Sequence, residues 1–124
     1  MSRTEVVINT SGMTAQDVID IARHDAKVVI SPETLAAVSK TRAHIDALAA
    51  SPEPVYGVST GFGALANRHV SPELRAQLQK SLIRSHAAGI GNPVEREVVR
   101  ALMTLRLKTL CSARTGVRQV VVET

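Results

Sequence analysis

The sequence predicts a mainly α-helical chain that opens with a small strand-helix-strand unit and continues in long helices. Three observations carry this reading. Four places pair a capping residue with a proline, an acid or both in the first helical turn. Apolar residues make up 44% of the 124 positions but aromatics only 2%, so Ala, Val, Leu and Ile must fill the core, a composition that favours helices. Only two short β-branched runs occur near the front, Thr4 to Ile8 and Lys27 to Ile30.

The elements follow in order. Thr4 to Ile8 reads as a strand closed by the turn formers Asn9-Thr10-Ser11-Gly12. Thr14 with Asp17 three residues on resembles a capping box, and Val18, Ile19 and Ala22 lie close together on the helix that follows. Lys27 to Ile30 is the second strand. Ser31-Pro32-Glu33 places a cap, a first-turn proline and an acid, which predicts a helix from Pro32 to about Ala50. Its buried stripe is Leu35, Val38, Ile45 and Leu48, with Lys40, Arg42 and Asp46 pointing elsewhere, and Ser51-Pro52-Glu53-Pro54 stops it. Ser71-Pro72-Glu73 repeats the start signal for a helix to about Ala88, with Leu74, Leu78 and Leu82 on one face.

Asn92-Pro93-Val94-Glu95 begins the last long helix, expected from Val94 to about Leu110 with Asn92 as its cap. It carries two apolar stripes, Val94, Val98, Ala101, Leu102 and Leu105 on one side, Val99, Met103, Leu107 and Leu110 on the other. A surface helix needs one stripe, so two imply cover from something outside these residues, an oligomer or further chain. The apolar run Val120 to Val122 close to Thr124 reads as an element cut short, as in a fragment.

The length suits a single domain. Fifteen Lys and Arg against eleven Asp and Glu give a charge of +4, but Arg68, Arg75, Arg84, Arg96, Arg100, Arg106, Arg114 and Arg118 are spread among acids and lack stacking aromatics. Solvated helix faces are expected, not a nucleic-acid surface. The single Cys111 suits a reducing compartment and reads as a small apolar residue. His24, His44 and His69 lack ligand spacing and read as surface residues, so no metal is expected. No secretory leader pattern and no apolar run of about 20 residues occurs, so a cytoplasmic protein without a membrane partner is expected.

Chemistry concentrates in Val55-Tyr56-Gly57-Val58-Ser59-Thr60-Gly61-Phe62-Gly63-Ala64-Leu65, which holds the only Tyr and the only Phe. Three glycines in seven residues mark a shaped loop. Their spacing lacks the Gly-Lys-Ser/Thr ending of a P-loop and is not the dinucleotide fingerprint. The residues alone leave two readings: a ligand-facing loop, or a glycine-rich turn with Tyr56 and Phe62 filling the core beneath it. His86, on a helix near two glycines, is by itself more often a packed or solvated histidine.

Tyr56-Gly57-Val58-Ser59-Thr60-Gly61-Phe62-Gly63 resembles the tyrosine loop of the aromatic amino acid ammonia-lyases and aminomutases. Arg84-Ser85-His86-Ala87-Ala88-Gly89-Ile90-Gly91, Val99-Arg100-Ala101-Leu102-Met103, Leu105-Arg106 and Thr115-Gly116-Val117-Arg118 extend the resemblance over nearly the whole chain, in the order found at the front of the histidine ammonia-lyases. The resemblance implies the N-terminal part of the helical ammonia-lyase fold, one N-terminal domain over residues 1–124, and elimination of ammonia from L-histidine to give urocanate. It implies that Tyr56 removes a proton from the β-carbon of the substrate. A free phenol has a pKa near 10, so such a base must be tuned. It places His86, Ser85 and the Gly63 backbone beside substrate, with Gly57, Ser59, Thr60, Gly61 and Phe62 shaping the loop. A hydroxyl and an imidazole at 85 and 86 suit a polar ring, which disfavours a tyrosine or phenylalanine lyase or aminomutase.

The family also uses a methylidene-imidazolone made from its own Ala-Ser-Gly. No Ala-Ser-Gly occurs here, and Thr10-Ser11-Gly12 lies far ahead of the family's position. The chain is therefore expected to be truncated before that tripeptide, to contain no such cofactor, to be inactive alone, and to belong to a homo-oligomer whose sites combine several subunits. Ser59 departs from the Asn of many members, and Ala113 and Thr115 stand where Gly and Ser are frequent. A catalytically silent helical assembly fragment is the alternative.

Overall fold

The computed structural model describes residues 2–124 as β1 (Glu5–Ile8), α1 (Ala15–His24), β2 (Lys27–Ile30), α2 (Pro32–Ala50), a 3-10 turn (Gly63–Leu65), α3 (Pro72–His86), α4 (Arg96–Cys111) and α5 (Gln119–Glu123). The mainly helical class with a small strand-helix-strand opening is what the sequence predicted. The described residues form two compact units, one of 2–44 with 93–124 and the other of 45–92. No described helix is long and apolar enough to cross a membrane.

In the first unit, β1 and β2 pair in parallel, with Val6 opposite Val28 and Ile8 opposite Ile30. Lys27 N–H donating to Thr4 O and Ser31 N–H donating to Ile8 O continue the ladder at both ends. The crossover is α1, whose capping box is complete: Thr14 N–H and hydroxyl donate to Asp17, and Asp17 N–H donates to the Thr14 hydroxyl. Val6, Ile8, Ile21, Ala26, Cys111 and Val122 make the core, with Leu35, Leu107 and Leu110 packed around it. Burial pushes the Cys111 thiol above its ordinary pKa, as fits a packing role.

Several expectations need correction. On α1 the deepest residues are Ile21 and Asp20, while Val18 and Ile19 are half-buried. Asp20 can sit inside because Gln16 and Arg3 both donate to its carboxylate, at 2.9 and 3.1 Å. On α2, Arg42 is half-buried along the same side as Val38 and Ile45, not on the exposed face with Lys40 and Asp46. α4 begins at Arg96, two residues late, because Asn92 is not its cap; Glu95 is, and its carbonyl accepts from both Val98 and Val99. α3 ends at His86, short of Ala88.

The two α4 stripes differ in cover: Leu107 and Leu110 of the second pack against the core, while most of the first faces outward. Thr104 and Cys111 are buried and Arg100, Leu107 and Lys108 are half-buried, at helical three- and four-residue steps, whereas Val98, Leu102, Met103 and Leu105 are exposed. Arg100 is no solvated arginine: its Nε donates to Ile21 O at 3.0 Å.

α4 ends with Ser112 as cap and Ala113 at φ 58, its carbonyl accepting from the Thr41 hydroxyl. That left-handed angle is one a β-carbon disfavours. Ala113→Gly is expected to stabilise the chain by about 1 kcal/mol in denaturant unfolding. The Asp20 carboxyl is held below its ordinary pKa chiefly by Gln16 and then by Arg3, and Asp17 likewise by the Thr14 N–H and hydroxyl. Lowered folded pKa values give stability that is present above the unfolded value and lost as pH falls through the folded one. Unfolding followed by circular dichroism should show stability falling below about pH 4, with Asp20→Asn less stable at neutral pH and flatter in acid.

Candidate functional site

The predicted site residues all fall in the second unit, residues 45–92. The Pro52-Glu53-Pro54 stop releases the chain from α2, and the loop then folds on itself. Val58 N–H and Ser59 N–H both donate to Val55 O, at 3.0 and 2.9 Å, and Val55 N–H donates back to the Ser59 hydroxyl at 2.9 Å. Further on, Gly61 N–H donates to Arg68 O and Val70 N–H to Ser59 O, around a bridge pairing Thr60 with His69. Gly57 N–H donates to the Thr60 hydroxyl, which itself donates to Gly61 O at 3.1 Å.

These bonds turn Ser59 and Thr60 inward, where both are buried, and leave Tyr56 63% exposed. The packing alternative for Tyr56 is thereby ruled out: its ring does not fill the core beneath the loop. Phe62 is half-buried and meets Tyr56 edge-on, with ring centroids 6.1 Å apart. Gly57 and Gly63 adopt φ of 71° and 55°, which side chains rarely take. At Gly61 the restriction is one of space, since a β-carbon would meet the Leu65 β-carbon at 2.7 Å and the Leu65 carbonyl oxygen at 2.9 Å.

Ser85 and His86 occupy the last turn of α3 and are exposed. The Ser85 hydroxyl donates to Leu82 O at 2.8 Å, and His86 Nδ1 lies 2.9 Å from the same carbonyl and 3.0 Å from Ser85 Oγ. A carbonyl only accepts, so Nδ1 carries the proton, and in the neutral ring Nε2 is left with an outward lone pair. The ring can therefore receive a hydrogen bond from an N–H or O–H group of a ligand.

One residue that the sequence reading passed over helps to hold this unit together. Arg75, taken for part of a solvated face, is half-buried and donates to Ala49 O at 2.8 Å and Val70 O at 3.1 Å, joining the end of α2 to the strand-like segment behind the loop. Its place in the first turns of α3 gave no signal, because both partners are backbone carbonyls. Ser71, the residue before α3, makes no cap bond to the backbone; it bonds the Glu73 carboxylate and holds it below its ordinary pKa.

The aromatic amino acid lyase family profile matches residues 13–124. The chain belongs to the aromatic amino acid lyase family. The histidine ammonia-lyase of Streptomyces coelicolor is 64% identical over 119 residues, covering 96% of this chain and 23% of that protein. The histidine ammonia-lyase of Streptococcus gordonii is 44% identical over 94% of this chain and 23% of its own length. Among solved structures, tyrosine aminomutase from Streptomyces globisporus superposes with a TM-score of 0.89 at 31% identity, covering 96% of this chain and 23% of that one. Histidine ammonia-lyase from Trypanosoma cruzi does so with a TM-score of 0.83 at 30% identity and the same coverage. The chain thus spans about a quarter of the length of the lyases it matches.

The methylidene-imidazolone expected of this family does not fit the residues present. Thr10-Ser11-Gly12 has Thr in place of Ala and forms an exposed turn before α1, where the Lys108 ammonium donates to the Asn9 and Thr10 carbonyls. Among the described residues no group of three or more His, Cys, Asp or Glu could hold a metal ion, and His24, His44 and His69 are exposed. A groove of about 360 Å³ lies in the first unit, lined by Ile21, Val28, Met103, Leu107 and Val122 among others, and none of the predicted lyase site residues lines it.

Gly61→Ala should open the lyase loop, lowering stability by about 1–3 kcal/mol and exposing the Gly61 and Val70 amides to exchange, because the displaced neighbour includes backbone. Gly63→Ala, which meets open space and only an unfavourable φ, should cost about 1–2 kcal/mol and leave those amides protected.

Proposed function

We propose that this chain carries the base-bearing tyrosine loop and the substrate-facing histidine of a histidine ammonia-lyase, which eliminates ammonia from L-histidine to give urocanate. The observation that carries the reading is the presentation of the Tyr56 phenol, exposed on a loop whose own hydroxyls are turned inward. In this role Tyr56 removes the β-proton as the amine leaves, and the loop glycines let substrate approach the backbone, Gly63 in particular. The electrophile that activates the substrate comes from residues other than these 124, so the chain by itself forms no urocanate.

His86 supplies selectivity in this proposal. With Nδ1 engaged by Leu82 O, its Nε2 accepts from the ring N–H of a histidine substrate, a donor that phenylalanine lacks. Ser85 holds the imidazole in that orientation. The relatives at 64% and 44% identity are named for histidine, in agreement with a polar pair at 85 and 86. A cytoplasmic location and assembly into a homo-oligomer belong to the same proposal.

The exposed apolar residues of α4 favour a second reading, an assembly fragment without catalysis. Light scattering on the purified chain tests the assembly shared by both: a mass above the monomer is expected, and a well-behaved monomer removes the argument from α4.

Grafting this chain in place of the matching segment of the Streptomyces coelicolor relative tests the catalytic reading. The chimaera should form urocanate, and Tyr56→Phe should lower kcat by about 10²–10⁴-fold. Full activity of Tyr56→Phe defeats the assignment of the base. His86→Leu should raise KM for histidine and improve relative turnover of phenylalanine; unchanged preference defeats the selectivity role.

A further inference from the structure

A side chain that must meet substrate from an exposed loop needs its backbone fixed, because a displacement of about 1 Å at a reacting group can cost about 10²-fold in rate. Tyr56 follows Val55 directly, and both backbone groups of Val55 are tied to one residue or its neighbour: its carbonyl accepts from Val58 and Ser59, and its N–H donates to the Ser59 hydroxyl. Ser59 in turn is anchored from behind by Val70 N–H and has no exposed surface. The turn that launches Tyr56 is therefore closed by the Ser59 side chain.

We infer that Ser59 is a positioning residue for Tyr56: its buried hydroxyl, by accepting from Val55 N–H, locks the turn from which the phenol projects. The inference rests on the reading of Tyr56 as the substrate-facing base. Alanine in place of Ser59 would keep the fold of the loop's outer bonds, from Gly61 to Arg68 and from Val70 to Ser59, while freeing Val55 N–H.

The full 124-residue chain offers a clean readout, since Tyr56 is its only tyrosine and it has no tryptophan, so its fluorescence reports this one ring. In the unmodified chain the Val55 amide should be protected from hydrogen exchange; an unprotected Val55 overturns the inference outright. Ser59→Ala should speed Val55 exchange about tenfold or more and lower the emission anisotropy of Tyr56, with helical circular dichroism unchanged. A folded Ser59→Ala chain in which both quantities stay put also overturns it. If that variant loses its helical signal, the exchange of Val55 in the unmodified chain decides. In the chimaera, Ser59→Ala should lower kcat about tenfold with KM within about twofold, whereas a raised KM at unchanged kcat contradicts positioning. Should Tyr56→Phe prove fully active, the catalytic reading falls while exchange and anisotropy still judge the lock.

Discussion

Around Tyr56 the usual polarity of burial is reversed. Ser59 and Thr60 are enclosed although both are polar, and the adjacent aromatic ring stands outside. Buried hydroxyls require partners, and here every partner is a backbone group of the loop itself: Val55, Gly57 and Gly61. Such local bonds are satisfied in one chain path only, so the polar residues set the path and the aromatic residue takes the direction left over. Gly57 and Gly63 accept the angles that path demands, and Gly61 accepts its crowding against Leu65. The site is thus a consequence of hydrogen-bond satisfaction more than of hydrophobic packing.

The first unit mostly obeys the commoner rule, though Asp20 and Thr34 are enclosed there as well. Its core is aliphatic, and α4 meets it through Leu107, Leu110 and Cys111, with Arg100 and Thr104 on the same side, while Leu102, Met103 and Leu105 face outward. A helix that keeps Leu102, Met103 and Leu105 outside is suited to an environment with more protein in it. That agrees with a chain spanning about a quarter of the length of the lyases it matches.

Legibility in the sequence followed the range of the interactions. The Thr14 capping box and the Ser31-Pro32 start were readable because cap and partner lie within three residues. The end of α2 was readable from its prolines. The interior place of Asp20 was not, since it depends in part on Arg3 seventeen positions away, nor was that of Arg75, since a guanidinium bound to backbone carbonyls leaves no trace in residue type. At the site, the residues of the loop could be named from their resemblance to the lyases, but which hydroxyls turn inward could not. That distinction arises from pairing with residues 68–70, which carry no matching motif.

The division into units also bears on how the chain can come together. Residues 45–92 are continuous in sequence, so the lyase loop and α3 can close through short-range contacts while the chain is still emerging from the ribosome. The other unit joins 2–44 to 93–124 and has to wait for α4, at the entropic cost of looping out everything between. Until then Val6, Ile8 and Ile21 lack Cys111 and Val122, the core partners supplied by the later segment.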